Sequence, residues 1–296
     1  MTTAVRVGGQ SEVAPLRAVV LKHPRDAFRS EAVILQQWRG LQYSAPPNFG
    51  AAIREYDRFV ELMQSFDVDL HFLPPDDTVG LDSLYVRDAT VVCDGGVLRC
   101  NMGKTARRSE PAACDAAFSA MGLPMIGTIN GDGCLEGGDV VWLDRRTVAV
   151  GRGYRTNEAG IEQLRGLLAD RVDEVVTVPL PHWRGPDDVF HLMSVLSPID
   201  DDLMLVYSPL LPVPFREYLL ARGVTLVDVP AEEFESMGCN VLAVAPRRCV
   251  MMAGNQTTRQ RLEHAGVEVA VFPGDEICRK GGGGPTCLTR PLHRAM

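Results

Sequence analysis

Residues 139–178 read DVVWLDRRTVAVGRGYRTNEAGIEQLRGLLADRVDEVVTV. Short apolar runs rich in β-branched residues predict strands over 139–143, 147–151 and 174–178. The polar residues between the first two strands predict a tight turn. Helical spacing predicts a helix over 158–168 before the third strand. This segment therefore predicts one unit of the order strand, turn, strand, helix, strand.

The same order recurs along the chain. Further units are predicted over 84–129, 192–229 and 240–272, with a more degraded copy over 17–73. The first of these includes a strand over 84–93, and the second begins with a strand over 192–198. A period of about fifty residues indicates a radial or stacked repeat, and a hairpin with one crossover helix indicates mixed sheets. Since no linker separates the units, we expect one domain over 1–296, built radially from about five units with the active site where their strand ends converge.

Composition restricts the classes of partner and location. With 46% apolar residues, 23% charged residues and a net charge of −8, the chain is typical of globular proteins. An acidic chain without Lys/Arg clusters argues against nucleic acid or a membrane surface and is compatible with a cationic small molecule. No apolar run or N-terminal pattern predicts a membrane span or signal peptide, so a cytoplasmic location with reduced thiols is expected. The eight cysteines contain no C-x-x-C pair, which argues against structural zinc.

A glycine run near the C-terminus leads directly to one of these cysteines. Residues 281–289 read GGGGPTCLT, which places Cys287 three residues after the last glycine. One interpretation is a glycine-lined pocket that presents a thiolate nucleophile. The other is a flexible loop before a last strand, with a buried cysteine.

Two acidic stretches are candidates for a site that binds a cation. Asp88 falls within the strand predicted over 84–93, where a carboxylate needs either an arginine partner or a cationic substrate. Glu136 and Asp139 bracket a Gly-Gly pair just ahead of a strand, a pattern that also suits an ordinary acidic turn.

Two further candidates are basic. Arg155 lies in GRGYRTN at 151–157, where glycines and a helix N-terminus suit an anion and an arginine can hold a carboxylate. His191 lies at a predicted strand edge, where a structural role is common. It becomes a general acid/base candidate if a nucleophile lies opposite, and Cys287 is the obvious one.

Together these stretches, in this order from RAVVLKHP to GGGGPTCLT, resemble the guanidine-modifying superfamily. It comprises arginine deiminases, amidinotransferases and dimethylarginine dimethylaminohydrolases, and the resemblance is nearest to the last. The resemblance implies a five-bladed, pseudo-symmetric α/β propeller, or pentein, of ββαβ units. It also implies an enzyme that needs no metal or cofactor.

The resemblance implies catalytic roles for three residues. Cys287 matches the nucleophile that attacks the guanidinium carbon and forms a covalent intermediate. His191 matches the general acid/base that protonates the leaving amine and then activates water. Glu136 matches the carboxylate that orients this histidine.

The resemblance also implies a set of substrate-binding residues. Asp88 matches the carboxylate that binds the guanidinium nitrogens, and Asp82 matches a residue near the substrate's amino end. Arg107 and Arg155 match arginines that clamp the α-carboxylate. The remaining residues expected to line the substrate site are Tyr85 and His23.

Three positions depart from the pattern of these families. Met193 replaces the aspartate of the His-x-Asp motif, which favours a methylated over a free guanidinium group. Arg87 stands where dimethylarginine enzymes commonly have an acid, and His23 where an aliphatic residue is common. The resulting prediction is hydrolysis of Nω-methylated L-arginine to citrulline and dimethylamine, by a monomer or homodimer. The alternatives are an arginine deiminase, an amidinotransferase acting on a guanidino compound, and a non-catalytic arginine-binding sensor.

Overall fold

The computed structural model describes residues 5–188 and 190–296. The strands are β1 Leu16–Leu21, β2 Asp69–Phe72, β3 Thr90–Cys93, β4 Gly96–Arg99, β5 Met125–Thr128, β6 Val140–Trp142, β7 Thr147–Arg152, β8 Glu174–Pro179, β9 Leu196–Asp200, β10 Leu203–Val206, β11 Thr225–Asp228, β12 Leu242–Ala245, β13 Arg248–Met252, β14 Glu268–Phe272 and β15 Arg290–Arg294. The α-helices are α1 Pro24–Ala27, α2 Glu31–Gln37, α3 Phe49–Gln64, α4 Glu110–Ala120, α5 Glu158–Leu168, α6 Leu192–Val195, α7 Val213–Ala221, α8 Ala231–Phe234 and α9 Gln256–His264.

These strands form five sheets of three strands each, with the same internal pattern. In each sheet the middle strand is antiparallel to one neighbour and parallel to the other. The sheets, in spatial strand order, are β15-β1-β2, β3-β4-β5, β6-β7-β8, β9-β10-β11 and β12-β13-β14. A helix connects the middle strand to its parallel neighbour in every sheet, because parallel strands need a long crossover.

Burial shows how the sheets are oriented. The strand that is antiparallel to the middle strand is almost entirely buried in every sheet, whereas the parallel neighbour is partly exposed. The crossover helices are amphipathic, and α3 buries Ala52, Tyr56, Phe59 and Met63 on one face. The buried strands therefore lie towards the centre with the helices outside, and the predicted five-bladed α/β propeller is confirmed.

The first sheet is completed by the end of the chain. β1 pairs in parallel with β2 and antiparallel with β15, so that Val20 lies opposite Arg290. The N-terminal unit looked degraded in the sequence because its antiparallel partner strand lies more than 260 residues away. Among the described helices, none combines the length and apolarity needed to cross a membrane.

Two predicted strands are wrong in part, and both errors fall on the active-site side. The strand predicted over 84–93 exists only as β3, since Leu81–Leu84 forms a 3-10 turn and Asp88 lies in the bend before the strand. The strand predicted over 192–198 starts as the helical turn α6, and β9 follows it. In both places a polar residue at the strand entrance takes side-chain and backbone hydrogen bonds that a ladder would not provide.

Candidate active site

Five side chains, one from the segment ahead of the buried strand of each sheet, meet in one region of the protein. Each of these residues lies two to five positions ahead of the buried strand of its own sheet. They are Asp88 before β3, Glu136 before β6, His191 before β9, Asn240 before β12 and Cys287 before β15. The propeller therefore brings together residues that are far apart in the sequence.

A small cavity lies at this meeting point. Its volume is ≈ 10 Å³, enough for about one water molecule. The lining residues are Asp82, Tyr85, Asp88, Lys104, Arg107, Arg155, His191, Gly281, Gly282, Gly283 and Cys287. A larger cavity of ≈ 170 Å³ shares Gly281 and Gly282 with it and is also lined by Asn240.

His191 is held between two carboxylates. Its Nε2 lies 2.7 Å from Glu136 Oε2, and its Nδ1 lies 3.9 Å from Asp88 Oδ1. Burial alone would lower the pKa of His191, but the negative charges of Asp88, Asp139 and Glu136 outweigh it and raise the pKa to about 9. The imidazole is therefore positively charged at neutral pH.

Glu136 is fully buried and its carboxylate has three partners. Oε2 also accepts from Arg155 Nη1 at 3.3 Å, and Oε1 accepts from the backbone N–H of Lys104 at 3.0 Å. Burial acts to raise the pKa of Glu136, but the His191 hydrogen bond and the nearby positive charges hold it well below its usual range. Glu136 is a fixed anion that orients the imidazole.

Asp88 joins the histidine to Arg107. Its Oδ2 lies 2.5 Å from Arg107 Nη1, and its Oδ1 accepts from the backbone N–H of Gly138 at 3.0 Å. Burial would raise the pKa of Asp88, but His191 and Arg107 lower it below its ordinary value. Asp88 therefore presents a negative charge to the cavity.

Cys287 and Asn240 form a pair. Asn240 Nδ2 donates to Cys287 Sγ at 3.2 Å, and Asn240 Oδ1 accepts from the backbone N–H of Thr286 at 3.0 Å. Burial and the negative charge of Asp88 raise the pKa of the Cys287 thiol to about 11, although the Asn240 hydrogen bond acts in the opposite direction. Cys287 is therefore a thiol at neutral pH before any ligand arrives.

Close packing explains two of the glycines around the site. A Cβ on Gly138 would lie 2.7 Å from His191 Nδ1 and 2.8 Å from Asp88 Oδ1, so only glycine allows these side chains to approach. A Cβ on Gly281 would overlap the hydroxyl of Tyr85, whose oxygen donates to the carbonyl of Ile277 at 3.1 Å. The glycine run is thus closely packed against Tyr85, one of the predicted site residues, and is not a loose loop.

Asp82 lies in the cavity wall but already has a partner. Its Oδ2 lies 2.7 Å from Lys104 Nζ, which also donates to the carbonyl of Leu41 at 3.0 Å. The sequence alone does not point to Lys104, because a single lysine in a connection belongs to no motif. Asn240 could have been found, since it occupies the same place ahead of β12 as the other four residues ahead of their strands.

Arg107 and Arg155 also line the cavity, and both are occupied. Arg107 binds Glu110 through Nε at 2.9 Å and Nη2 at 2.7 Å, in addition to Asp88. Arg155 donates from Nη2 to the carbonyl of Asp188 at 3.1 Å, in addition to Glu136. Each arginine would have to share or exchange these partners to hold a substrate carboxylate.

His23 and Met193, which the resemblance places near the substrate, lie outside the cavity wall. His23 caps α1, with Nδ1 accepting from the backbone N–H of Arg25 and Nε2 lying 3.0 Å from Asp57 Oδ1. Met193 is buried in the apolar core. The structure does not bring His23 to the site, and the argument for a methylated substrate from Met193 has no support in its position.

One group of the described residues has the geometry to hold a metal ion. Ligand atoms of Asp88, Glu136 and His191 lie within 4.8 Å of one another. They already contact one another and two arginines, so their charges are balanced within the protein.

The chain is similar to known guanidine-modifying enzymes over most of its length. A family model described as eukaryotic N,N dimethylarginine dimethylhydrolase matches residues 36–294. The chain is 31% identical over 251 residues to the N(G),N(G)-dimethylarginine dimethylaminohydrolase of Streptomyces coelicolor, covering 82% of this chain and 87% of the relative.

Two solved structures share the fold. The dimethylarginine dimethylaminohydrolase of Pseudomonas aeruginosa, a cysteine-to-serine mutant complexed with citrulline, has a TM-score of 0.76 at 21% identity and covers 93% of this chain and 98% of that one. An amidinotransferase of saxitoxin biosynthesis from Microseira wollei has a TM-score of 0.79 at 16% identity, covering 97% of each chain. The predicted resemblance is confirmed: this chain is an amidine-hydrolysing enzyme and belongs to the N,N dimethylarginine dimethylhydrolase family.

Proposed function

We propose that this enzyme hydrolyses the guanidinium C–N bond of Nω-methylated L-arginine, releasing citrulline and a methylated amine, through a covalent bond to Cys287. The observation that carries the proposal is the placement of His191, held by Glu136 and Asp88 in the wall of the cavity that Cys287 also lines. The family model and the Streptomyces relative favour dimethylarginine over free arginine.

The protonation states suit a cationic substrate. A thiol with a pKa of about 11 is not a nucleophile at neutral pH, so a positive charge beside the sulfur is needed to lower it. A guanidinium bound to Asp88 supplies that charge and also screens the negative charge that raises the thiol pKa. His191 is meanwhile already protonated and ready to act as an acid.

The reaction then runs in two steps. The Cys287 thiol loses its proton to solvent when the guanidinium binds, and the thiolate adds to the guanidinium carbon. The bond from that carbon to the dimethylated nitrogen breaks as His191 transfers its proton to the leaving amine. The carbon stays bound to sulfur as an S-alkylthiouronium. A water molecule next gives one proton to the now neutral His191 and attacks this carbon. Cleavage of the C–S bond then frees the sulfur, which takes up the remaining hydroxyl proton as citrulline leaves and returns to the thiol.

The residues that would bind the amino-acid part of the substrate are at present paired with other residues of the protein. We assign Asp82 to the α-ammonium group, and Arg107 and Arg155 to the α-carboxylate, with Tyr85 in the wall. Lys104 must release Asp82 for this to happen, since its ammonium occupies that carboxylate.

Substrate entry requires the wall of the site to move. The cavity at Cys287 holds about one water molecule, far less than a guanidino amino acid needs. The neighbouring cavity of ≈ 170 Å³ borders the same glycines and Asn240, which marks it as the approach to the sulfur. Displacement of the Lys104 side chain, which lines the inner cavity, would enlarge it.

Product analysis tests the proposal. The purified enzyme is incubated separately with asymmetric dimethylarginine and arginine, and citrulline, dimethylamine and ammonia are quantified by mass spectrometry. We expect citrulline and dimethylamine in equal amounts, and none from Cys287→Ser. Cys134→Ser is the matched control, because Cys134 is also partly exposed but does not line the cavity.

Each other outcome identifies an alternative. Ammonia from arginine, with no dimethylamine from its methylated form, indicates an arginine deiminase. An amidino product that forms only with an added amine indicates an amidinotransferase. Saturable ligand binding without turnover indicates an arginine sensor.

A further inference from the structure

A second cluster of buried charges lies next to Asp88 in the sequence but outside the cavity wall. The side chains of Arg87, Arg290 and Arg294 are 1%, 5% and 2% exposed, and Glu12 is 7% exposed. Arg87 precedes Asp88 directly, while Arg290 and Arg294 begin and end β15. We call these three residues the arginine cluster.

The hydrogen bonds of the arginine cluster are unevenly distributed. Arg87 Nη2 contacts both carboxylate oxygens of Glu12, at 2.7 and 2.8 Å. Arg290 Nη2 donates to the carbonyl oxygen of Arg87, which connects two members of the cluster. Arg294 donates to the carbonyls of Ala14 and Ala243 at 2.6 and 2.9 Å. Arg290 and Arg294 therefore meet only uncharged acceptors among the described residues.

Several polar atoms of the cluster have no partner. Arg87 Nε, Arg87 Nη1, Arg290 Nε and Arg294 Nε are buried and make no hydrogen bond to any residue in the described ranges. Thr90 Oγ1, at the start of β3, is in the same state. Buried donors without acceptors are rare in folded proteins because each loses its hydration without replacement.

The charge of the arginine cluster also indicates that a partner is missing. Of the three guanidinium groups, only that of Arg87 contacts a carboxylate, that of Glu12, while Asp88 acts on Arg290 without a hydrogen bond to it. Positive charge is therefore in excess in this buried region. Burial and the charge of Arg87 lower the pKa of Arg290 to about 9, so it remains charged at neutral pH. Because arginine does not escape burial by losing its proton, a counter-charge is the remaining way to stabilise the group.

We propose that the arginine cluster binds a small inorganic anion of the halide class. Such an ion accepts hydrogen bonds from any direction, as the four unpartnered nitrogen atoms require. A halide is also small enough to reach an enclosed site through side-chain motion, whereas phosphate and sulfate are larger. This inference is independent of the substrate assigned to the active site.

Thermal unfolding at constant ionic strength tests this anion site. Sodium gluconate is replaced stepwise by sodium chloride, and separately by sodium sulfate, while the melting temperature is followed by circular dichroism. At a hundredfold excess over Kd, a rise on the order of 5 °C is expected with chloride. The response should saturate with concentration, as binding at one site requires.

Two variants separate a specific site from general salt effects. Arg290→Met removes one guanidinium and should abolish the chloride response, whereas Arg58→Met changes the net charge equally at an exposed position of α3 and should retain it. Equal responses in both variants, equal melting temperatures in chloride and gluconate, or a response to sulfate alone would each overturn the proposal.

A crystal soaked in bromide provides a test that does not depend on a variant that folds. An anomalous difference peak among the guanidinium groups of Arg87, Arg290 and Arg294 is the expected result. A map with bromide at surface positions and none at the cluster contradicts the proposal.

Discussion

Two groups of side chains form the wall of the active-site cavity or, in the case of Glu136, hold a residue of that wall in place, and they come from different parts of the repeat. The reactive group occupies the places ahead of the buried strands: Asp88, Glu136, His191 and Cys287. The flanking group comes from connections elsewhere in the units: Asp82, Lys104, Arg107 and Arg155. The first is positioned by the propeller itself, and the second by the conformation of individual connections.

The two groups also differ in whether their side chains already have ion-pair partners. In the reactive group, the Cys287 sulfur contacts no charged side chain among the described residues, and its side-chain hydrogen-bond donor is the Asn240 amide. In the flanking group, each cation already has a carboxylate partner, as Lys104 has Asp82. The difference indicates that the chemistry is preorganised, whereas recognition of the amino-acid part requires an exchange of ion pairs. The following substitutions test that division.

Glu136→Gln is expected to have the largest effect, because it removes the charge that fixes His191 within the reactive group. Turnover of dimethylarginine should fall about 10²-fold or more. His191 must be protonated to release the amine, so the wild-type rate should fall as pH rises through about 9. In the variant this decline should move to lower pH, since a negative charge that raises the His191 pKa has been removed.

The measurement is the pH profile of kcat at saturating substrate for wild type and variant, because the bound guanidinium has then already lowered the pKa of the thiol. Glu232→Gln, at an exposed position of α8, is the matched control and should leave the profile unchanged. An alkaline limb at the same pH in wild type and Glu136→Gln contradicts the role of Glu136.

Asn240→Ala should have an intermediate effect. Loss of the Asn240 amide removes the donor to Sγ, and loss of one such hydrogen bond corresponds to about a tenfold lower kcat/KM. The pKa of the Cys287 thiol should rise further above about 11. The rate of alkylation by a neutral haloacetamide, followed against pH, measures this shift.

Asn240→Asp is the informative companion to this change. It keeps the acceptor for the Thr286 N–H but places a negative charge beside the sulfur. Its thiol pKa should therefore rise more than that of Asn240→Ala, while its stability should be closer to wild type. The opposite order of thiol pKa values would show that Asn240 does not act on the sulfur.

Lys104→Met tests the flanking group and should change KM rather than kcat. Without Lys104, Asp82 has no internal cation to release, so KM for dimethylarginine should fall about threefold or more while kcat stays within about twofold. In the absence of substrate the unpaired Asp82 should lower the free energy of unfolding by about 1–3 kcal/mol. Steady-state kinetics and urea unfolding measure the two effects.

Arg146→Met is the control for this experiment, because Arg146 pairs with Asp173 at the surface and lines neither cavity. If Lys104→Met lowers kcat strongly with KM unchanged, Lys104 belongs to the reactive group, and the division between the two groups fails.

His23→Ala should have the smallest effect on activity. His23 caps α1 and contacts Asp57, so its loss should lower the free energy of unfolding by about 1 kcal/mol. Turnover should stay within about twofold of wild type. A large rise in KM would return His23 to the substrate site, as the resemblance alone implied.

The four residues of the reactive group are candidates from the sequence, and the structure brings them together because each precedes the buried strand of its own sheet. Residues ahead of successive buried strands of a propeller converge. The sequence does not point to Asn240, because an asparagine is not a typical catalytic residue. Met193 and His23 show the limit of this argument. The direction of the Met193 side chain depends on the helical turn α6, and the position of the His23 ring depends on Asp57, far away in the sequence.

Ion pairs are the second limit. Composition and spacing do not reveal that Lys104 pairs with Asp82, or that Arg107 pairs with Asp88, because those pairs form between residues far apart in the sequence. The arginine cluster also appears only when β15 closes the first sheet and brings Arg290 and Arg294 to Arg87 and Glu12.

The most direct test of the central claim is to trap the bond between Cys287 and the guanidinium carbon. The enzyme is mixed with excess dimethylarginine, quenched in acid within one turnover, digested and analysed by mass spectrometry. The account predicts a thiouronium adduct on the peptide that contains Cys287, with dimethylamine released in equal amount. Release of dimethylamine with no adduct at any time point, or an adduct on another cysteine, would contradict it.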